Sequence, residues 1–238
     1  MFKTCLRRGV LAGLLAGLLA GLFAYVFGEP AIDRALLLEE DGGAAFNAVV
    51  SREGQKLGLV VATVLYGGAL GLVFALVYPW LRNNSETDDW SLSLRLALAL
   101  FGGFFFLPFL KYPSDPPGTG DTETLGFRTA AYLLCVVISL AAILASWYLA
   151  RYLRERGFYA PVRQSLVALA LVVVLGVAFA LLPPATPVGE FPGGVLWDFR
   201  VATLGTQVVL WGALGATFGA LSERERVRGA VKAREVAA

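Results

Sequence analysis

The chain has 238 residues, 57% of them hydrophobic and only 16% charged, with a net charge of +2 and a mean hydropathy of +0.68. An ordinary soluble domain carries about 25% charged residues, so this composition excludes a disordered chain, a nucleic-acid-binding module and a typical cytosolic enzyme. The chain has no histidine and two cysteines, Cys5 and Cys135, which removes a Ser/His/Asp triad, imidazole zinc ligands and a disulfide scaffold, and both thiols are expected to be free.

A bilayer core about 30 Å thick takes about 20 apolar residues of helix. Residues 9–28, 57–81, 129–150, 164–189 and 201–222 contain no Asp, Glu, Lys or Arg. A sixth stretch, 96–110, reaches spanning length as 91–110 if Arg95 snorkels to the headgroups. The alternative is a re-entrant or kinked segment, to which Pro108 contributes. The expected fold is therefore an all-α polytopic membrane bundle of about six transmembrane helices, five if the third falls short. It forms one transmembrane domain over residues 1–222 and a tail over 223–238.

The first segment follows Lys3, Arg7 and Arg8 but is too long for a signal-peptide core and lacks a small-x-small cleavage site after it. It carries Gly9, Gly13, Gly17 and Gly21, four apart and so on one helical face. They predict a close helix contact, with a gap along a transport path as the alternative, and Leu14 is placed off that face. More glycines stand at Gly67, Gly68 and Gly71 and at Gly212, Gly215 and Gly219. Helices 3–4 and 5–6 share a proline near one end and an F-R-x-A restart, at Phe127-Arg128 and Phe199-Arg200, which reads either as a parallel repeat or as the chance agreement common to such simple patterns.

The connections set the orientation. With the N-terminus inside, 14 of the 20 Lys and Arg fall in the inner segments and 6 in the outer ones. This predicts both termini in the cytoplasm; the expected location, a separate expectation, is the cell inner membrane, as a multi-pass protein. The outer loops combine stiff prolines with acids. Without histidine, the chain offers a cation mainly oxygen, which suits a hard or borderline divalent ion. The candidate metal-contacting carboxylates are Glu29, Asp33, Asp115 and Asp121, with solvated loop charges or helix caps as the alternative. The off-trend Arg52, Arg128 and Arg200 are expected to pair with these acids or to mark the interface rather than to touch a cation themselves. No Walker A, GxGxxG or GxSxG sequence stands in a supporting context, so no catalytic residue is assigned and the chain is expected not to be an enzyme.

These residues also carry a resemblance. Glu29-Pro30 with Asp33, Arg52 and Gln55, Tyr66-Gly67, the block Lys111-Tyr112-Pro113, Pro116-Pro117, Gly120, Thr124 and Arg128, and then Phe191-Pro192, Asp198-Phe199-Arg200, Gln207 and Trp211 are similar to the predicted cobalt transporter subunit family CbtA across nearly the whole chain. The resemblance implies a membrane subunit for Co²⁺ uptake, linked to cobalamin synthesis. It implies a small single-span partner, CbtB, whose histidine-rich end would supply the nitrogen ligands missing here. It implies structural or gating roles for Lys111, Tyr112, Pro113, Pro116, Pro117, Arg128, Asp198, Arg200 and Gln207. The family is often described with five spans. Co²⁺ is then substrate, with no permanently bound cofactor. The expected partners are the bilayer and a CbtB-like subunit, with a homo-oligomer open and no nucleic acid. A non-transporting membrane scaffold and an intramembrane enzyme are the competing readings.

The charge asymmetry yields a direct test. Single-cysteine reporters at Ser91 and Gly118 are expected to react with an impermeant reagent from opposite sides of the membrane, and equal labelling in intact cells would contradict the six-span topology.

Overall fold

The computed structural model describes residues 2–41, 50–117, 119, 124–185, 187–188 and 191–237. They form α1 (Phe2–Phe23), α2 (Glu29–Asp41), α3 (Arg52–Asn83), α4 (Asp89–Phe101), α5 (Leu107–Lys111), α6 (Leu125–Glu155), α7 (Ala160–Leu181) and α8 (Gly193–Ala237). Among the described residues there is no strand. Five-residue π-turns, Ala24–Gly28 and Gly102–Phe106, join α1 to α2 and α4 to α5. Among the described residues, six continuous helices are thus long and apolar enough to cross a membrane: Lys3–Leu38, Arg52–Asn83, Asp89–Lys111, Leu125–Glu155, Ala160–Leu181 and Gly193–Gly229.

The third span is a full helix of 23 residues, about 34 Å at 1.5 Å per residue, so six spans stand rather than five. Arg95 turns back towards the start of its helix, placing Nη1 3.3 Å from Thr87 Oγ1, the direction a snorkelling side chain would take. Two boundaries differ from the sequence reading. The fifth span ends at Leu181, not at residue 189. Leu182 precedes Pro183, and its extended backbone (φ −72°, ψ 147°) is the conformation that a following proline imposes. The first helix does not end at Gly28 but continues through Pro30 to Asp41. A proline clashes with the carbonyl four residues back and cannot donate to it. The π-turn just before it, closed by the Glu29 N–H on Ala24 O, widens the helix and absorbs the fault. The same device precedes Pro108, where Leu107 N–H reaches Gly102 O. Residues 223–237 continue α8 without a break.

Proline also frees carbonyls, and neighbouring helices use them. Pro79, Pro108 and Pro183 cannot donate to Ala75, Phe104 and Phe179, the residues four before each. Those three carbonyls accept from Cys5 Sγ at 3.5 Å, Tyr132 OH at 3.4 Å and Lys111 Nζ at 2.8 Å. In a lipid environment, where an unpaired carbonyl is costly, each proline thereby becomes a tie between helices. Both cysteines are free and buried.

The chain divides into two compact units, residues 1–98, 116–118 and 192–238 in one, and 99–115 and 119–191 in the other. In the first, α1 lies against α3 along the predicted glycine face. A Cβ added to Gly9 would stand 2.6 Å from Ala75 Cβ, one on Gly13 2.9 Å from the Gly67 carbonyl carbon, and one on Gly17 2.8 Å from Val64 Cα. From the other side, a Cβ on Gly67 would meet Gly17 Cα at 2.7 Å, and one on Gly71 the Gly9 carbonyl carbon at 2.8 Å. Real Cβ atoms do not approach so closely. The two backbones touch, and the seam leaves no gap for a transport path. Gly21 meets Thr63 and Val60. Leu14 is not off the face: a Cβ added to Gly68 would stand 3.0 Å from Leu14 Cδ2. The adjoining row Ala12, Ala16, Ala20 and Ala24 is buried as well, and α1 packs on α8. Gly215 and Gly219 of α8 face Ala97, Ser93 and Trp90 of α4, with Ser93 Oγ donating to Gly215 O at 2.7 Å. In the second unit α6 packs on α7 and on the Gly102–Phe106 turn, where Gly103 lies under Leu140.

Gly13→Leu or Gly17→Leu is expected to cost more than the roughly 1–3 kcal/mol of ordinary overpacking, because backbone rather than side chain must yield. Leu11→Ala, at an exposed position on the same helix, is expected to leave folding intact. Monodisperse protein recovered in detergent measures the difference.

Candidate functional site

The π-turn at Ala24–Gly28 and the helix beyond it place Glu29 and Asp33 one turn apart, on the same face of α2. The α3 N-terminus, capped by Ser51 Oγ accepting from Gly54 N–H at 3.3 Å, brings Arg52, Gln55 and Lys56 opposite. Arg52 donates to both carboxylates: Nη2 bonds Glu29 Oε2, and Nε bonds Asp33 Oδ1 at 2.8 Å. Its Nη1 meets Gln55 Oε1 at 3.3 Å, and Lys56 Nζ donates to Asp33 Oδ2 at 3.0 Å. Two acids and two bases thus form a closed, neutral cluster. The Glu29 side chain is only 5% exposed, and a carboxylate so buried is tolerated because the guanidinium compensates it. Beside it Arg34 Nη2 bonds Asp198 Oδ2 of α8 at 2.9 Å, and Arg34 Nε donates to Pro30 O.

The other predicted positions sort as follows. In the second unit, Asp115 Oδ2 stands 3.7 Å from Arg128 Nη2. Lys111 Nζ caps the end of α7 through Phe179 O, and Tyr112 OH donates to Pro183 O at 2.8 Å. The Lys111-Tyr112 pair therefore ties α5 to the last turn of α7, whose final carbonyls lack helical donors. Partial burial raises the Tyr112 hydroxyl above the usual tyrosine range. Pro113, Pro116 and Pro117 lie in the loop that follows, Pro116 buried. Arg200 and Gln207 lie on α8, half-buried, and Arg200 is engaged by neighbours. Asp121 lies outside the described residues, as does Gly120. The expectation that the off-trend arginines pair with acids holds for Arg52 and Arg128. Among the described residues no three Asp, Glu or Cys side chains gather as a metal centre would.

Sequence reasoning missed a second polar cluster, at the opposite end of the first unit. Tyr78 OH donates to Asp89 Oδ1 at 2.7 Å, Arg82 Nε lies 3.4 Å from the same oxygen, and Arg82 Nη1 donates to Thr87 O. Phe218 of α8 packs on Phe74 at 5.0 Å and on Tyr78 at 4.8 Å between ring centroids. Arg8 of α1 reaches Ser222 Oγ at 3.0 Å and Glu225 Oε2 at 2.7 Å. The stretch NNSETDDWS reads as an ordinary polar turn, and nothing local reveals that Asp89 is buried while Asp88 is not. Asp88 instead accepts from Ser91 N–H at 2.8 Å. That backbone donor holds its carboxyl below the usual range, as expected for a helix cap.

Over residues 2–223 the chain matches the family described as "Probable cobalt transporter subunit (CbtA)", and it belongs to that family. No curated protein and no solved structure matches it.

The neutral cluster has an energetic signature. Arg52→Ala strands a buried Glu29, and is expected to destabilise the purified protein by about 1–3 kcal/mol, the cost of an unsatisfied buried polar group. Adding Glu29→Gln is expected to recover part of that loss, read as a non-additive double-mutant cycle in thermal unfolding.

Proposed function

We propose that this multi-pass CbtA-family protein is the membrane subunit of a Co²⁺ uptake system, oriented with both termini in the cytoplasm. In this reading it lies in the inner membrane, works beside a small single-span subunit with a histidine-rich end, and serves cobalamin synthesis. The observation that carries the reading is the family match over residues 2–223, and the absence of histidine supports a division of labour in which selective nitrogen ligands come from the partner. The bias of basic residues, 14 against 6, supports the orientation. On that orientation the Glu29, Asp33, Arg52, Lys56 cluster and the Asp115–Arg128 pair both belong to outward-facing ends of helices.

An ion entering from outside first meets oxygen ligands that are already neutralised. A divalent cation can exchange with a cationic partner of such a pair without leaving a carboxylate uncompensated, whereas simple loss of that partner would. Asp33, more exposed than Glu29, is the accessible member. A divalent ion moving inward through 100 mV gains about 4.6 kcal/mol, at roughly 2.3 kcal/mol per charge, so the membrane potential alone is a sufficient driving force for substantial uptake.

Radiolabelled Co²⁺ uptake by cells expressing the chain alone and with the partner tests the reading. Uptake is expected with both subunits present. Asp33→Asn and Asp115→Asn are each expected to lower it several-fold at limiting metal, with partial recovery at higher metal and normal protein levels. Asp88→Asn preserves the helix cap and is expected to change little. Normal transport by both outer variants would reduce those carboxylates to structural charges, and no uptake in any combination would favour a scaffold.

A further inference from the structure

The three long helices of the first unit are fastened unevenly. The α1–α3 pair is joined along its whole length: backbone against backbone at Gly9, Gly13, Gly17, Gly67 and Gly71, then by Arg52 and Lys56 on Glu29 and Asp33. Helix α8 is different. From Leu210 onward it is anchored, with Leu210, Trp211, Leu214, Gly215, Phe218, Gly219 and Ser222 buried. Ser93 holds its backbone at Gly215, and Arg8 grips Ser222 and Glu225 from a side chain only 19% exposed. Between Gly193 and Val209, Ala202 is the one buried residue. That stretch meets the first helix through Phe23 against Gly205 and through Arg34–Asp198, whose side chains are 50% and 47% exposed, and its half-buried Arg200 is engaged by neighbours. An ion pair so wetted holds weakly.

The change from loose to firm packing falls at Leu210, two residues before Gly212. A Cβ there would meet nothing within 4 Å, so no close approach accounts for a glycine, unlike those of the α1–α3 seam. A helix-interior glycine stiffens the chain least and is a common site of bending. The spacing of the two ties also fits a membrane. Arg8 and Arg34 are about 39 Å apart along the first helix, and Asp198 and Glu225 about 40 Å apart along α8, at 1.5 Å per residue. Each interval exceeds a hydrocarbon core of about 30 Å, long enough for the two ties to lie at opposite polar boundaries.

We propose that the segment of α8 from Gly193 to about Val209 is a movable arm, hinged near Gly212 and latched to the first helix by Arg34–Asp198, while the rest of α8 stays fixed. Resting on the transport reading, the arm would be the gate at the outer face, and its motion would uncover the Glu29–Asp33 end without disturbing the glycine seam. The arm itself can be tested apart from transport.

Spin-label pairs report it in lipid nanodiscs, without cobalt, in a Cys5→Ser/Cys135→Ala background. Leu37→Cys with Trp197→Cys reads the latch end, and Arg7→Cys with Arg224→Cys reads the anchored end. The latch-end distance distribution is expected to be at least twice as wide as the other. Arg34→Gln is expected to widen it further, and Gly212→Ala to narrow it, with the anchored pair unchanged in both. Equal widths at the two ends, or a latch-end distribution unmoved by both substitutions, would overturn the proposal. Since no metal is present, a chain that fails to take up cobalt would still show whether the arm moves.

Discussion

A glycine has no Cβ, and the first unit depends on what that omission permits. Lipid tails are as apolar as leucine, so hydrophobic burial gives two membrane helices little reason to associate, and close packing has to supply it. Here Gly9, Gly13 and Gly17 meet Gly71, Gly67 and the Thr63–Val64 backbone at distances that no side chain would allow. That contact sets the register of α1 against α3. The register in turn decides that Glu29 and Asp33, about two to three turns beyond Gly21, arrive opposite Arg52 and Lys56. The neutral cluster is a consequence of the seam as much as of its own charges.

Proline plays the complementary part. Each of three prolines leaves one carbonyl without its helical donor, and a side chain from another helix takes it: Cys5 at Ala75, Tyr132 at Phe104, Lys111 at Phe179. A fault in one helix becomes a bond between two. This gives Cys5 a role that its lone occurrence in the sequence did not suggest, and it gives Lys111 a structural partner in a motif otherwise known only by resemblance. At Pro30 the remedy lies within the helix itself, where a π-turn precedes the proline and keeps the helix running.

The spans were legible because hydrocarbon imposes a length and a composition that charge-free runs display directly. Their ends were not, where charge alone was the guide. The run 164–189 is uncharged throughout, yet Pro183 and Pro184 end the helix at Leu181. The reverse error occurred after Gly28, where acids and a proline suggested a loop but Ala31 and Ala35 are buried and the helix persists. At the candidate site, Glu29, Asp33, Arg52 and Gln55 could be named from the sequence, because the resemblance singled them out and charges against the positive-inside trend invite pairing. Their closure into one cluster could not, because it depends on a helix register between segments about twenty residues apart. The Tyr78–Asp89–Arg82 group was invisible for a stronger reason. Its burial is provided by Phe218, more than a hundred residues away, and Asp88 and Asp89 are indistinguishable without that packing.

Backbone contact at the glycine seam, not the general glycine content of membrane helices, organises the first unit. The most direct measurement is a Gly→Ala comparison in two sets, following thermal unfolding of the purified protein in detergent. One set is Gly9, Gly13, Gly17, Gly67 and Gly71, where a Cβ would collide, and the other is Gly58, Gly126 and Gly176, where it would meet nothing. The account predicts a lowered unfolding temperature throughout the first set and an unchanged or raised one in the second, since alanine restricts the unfolded chain at no steric cost there. Equal responses from the two sets would contradict it.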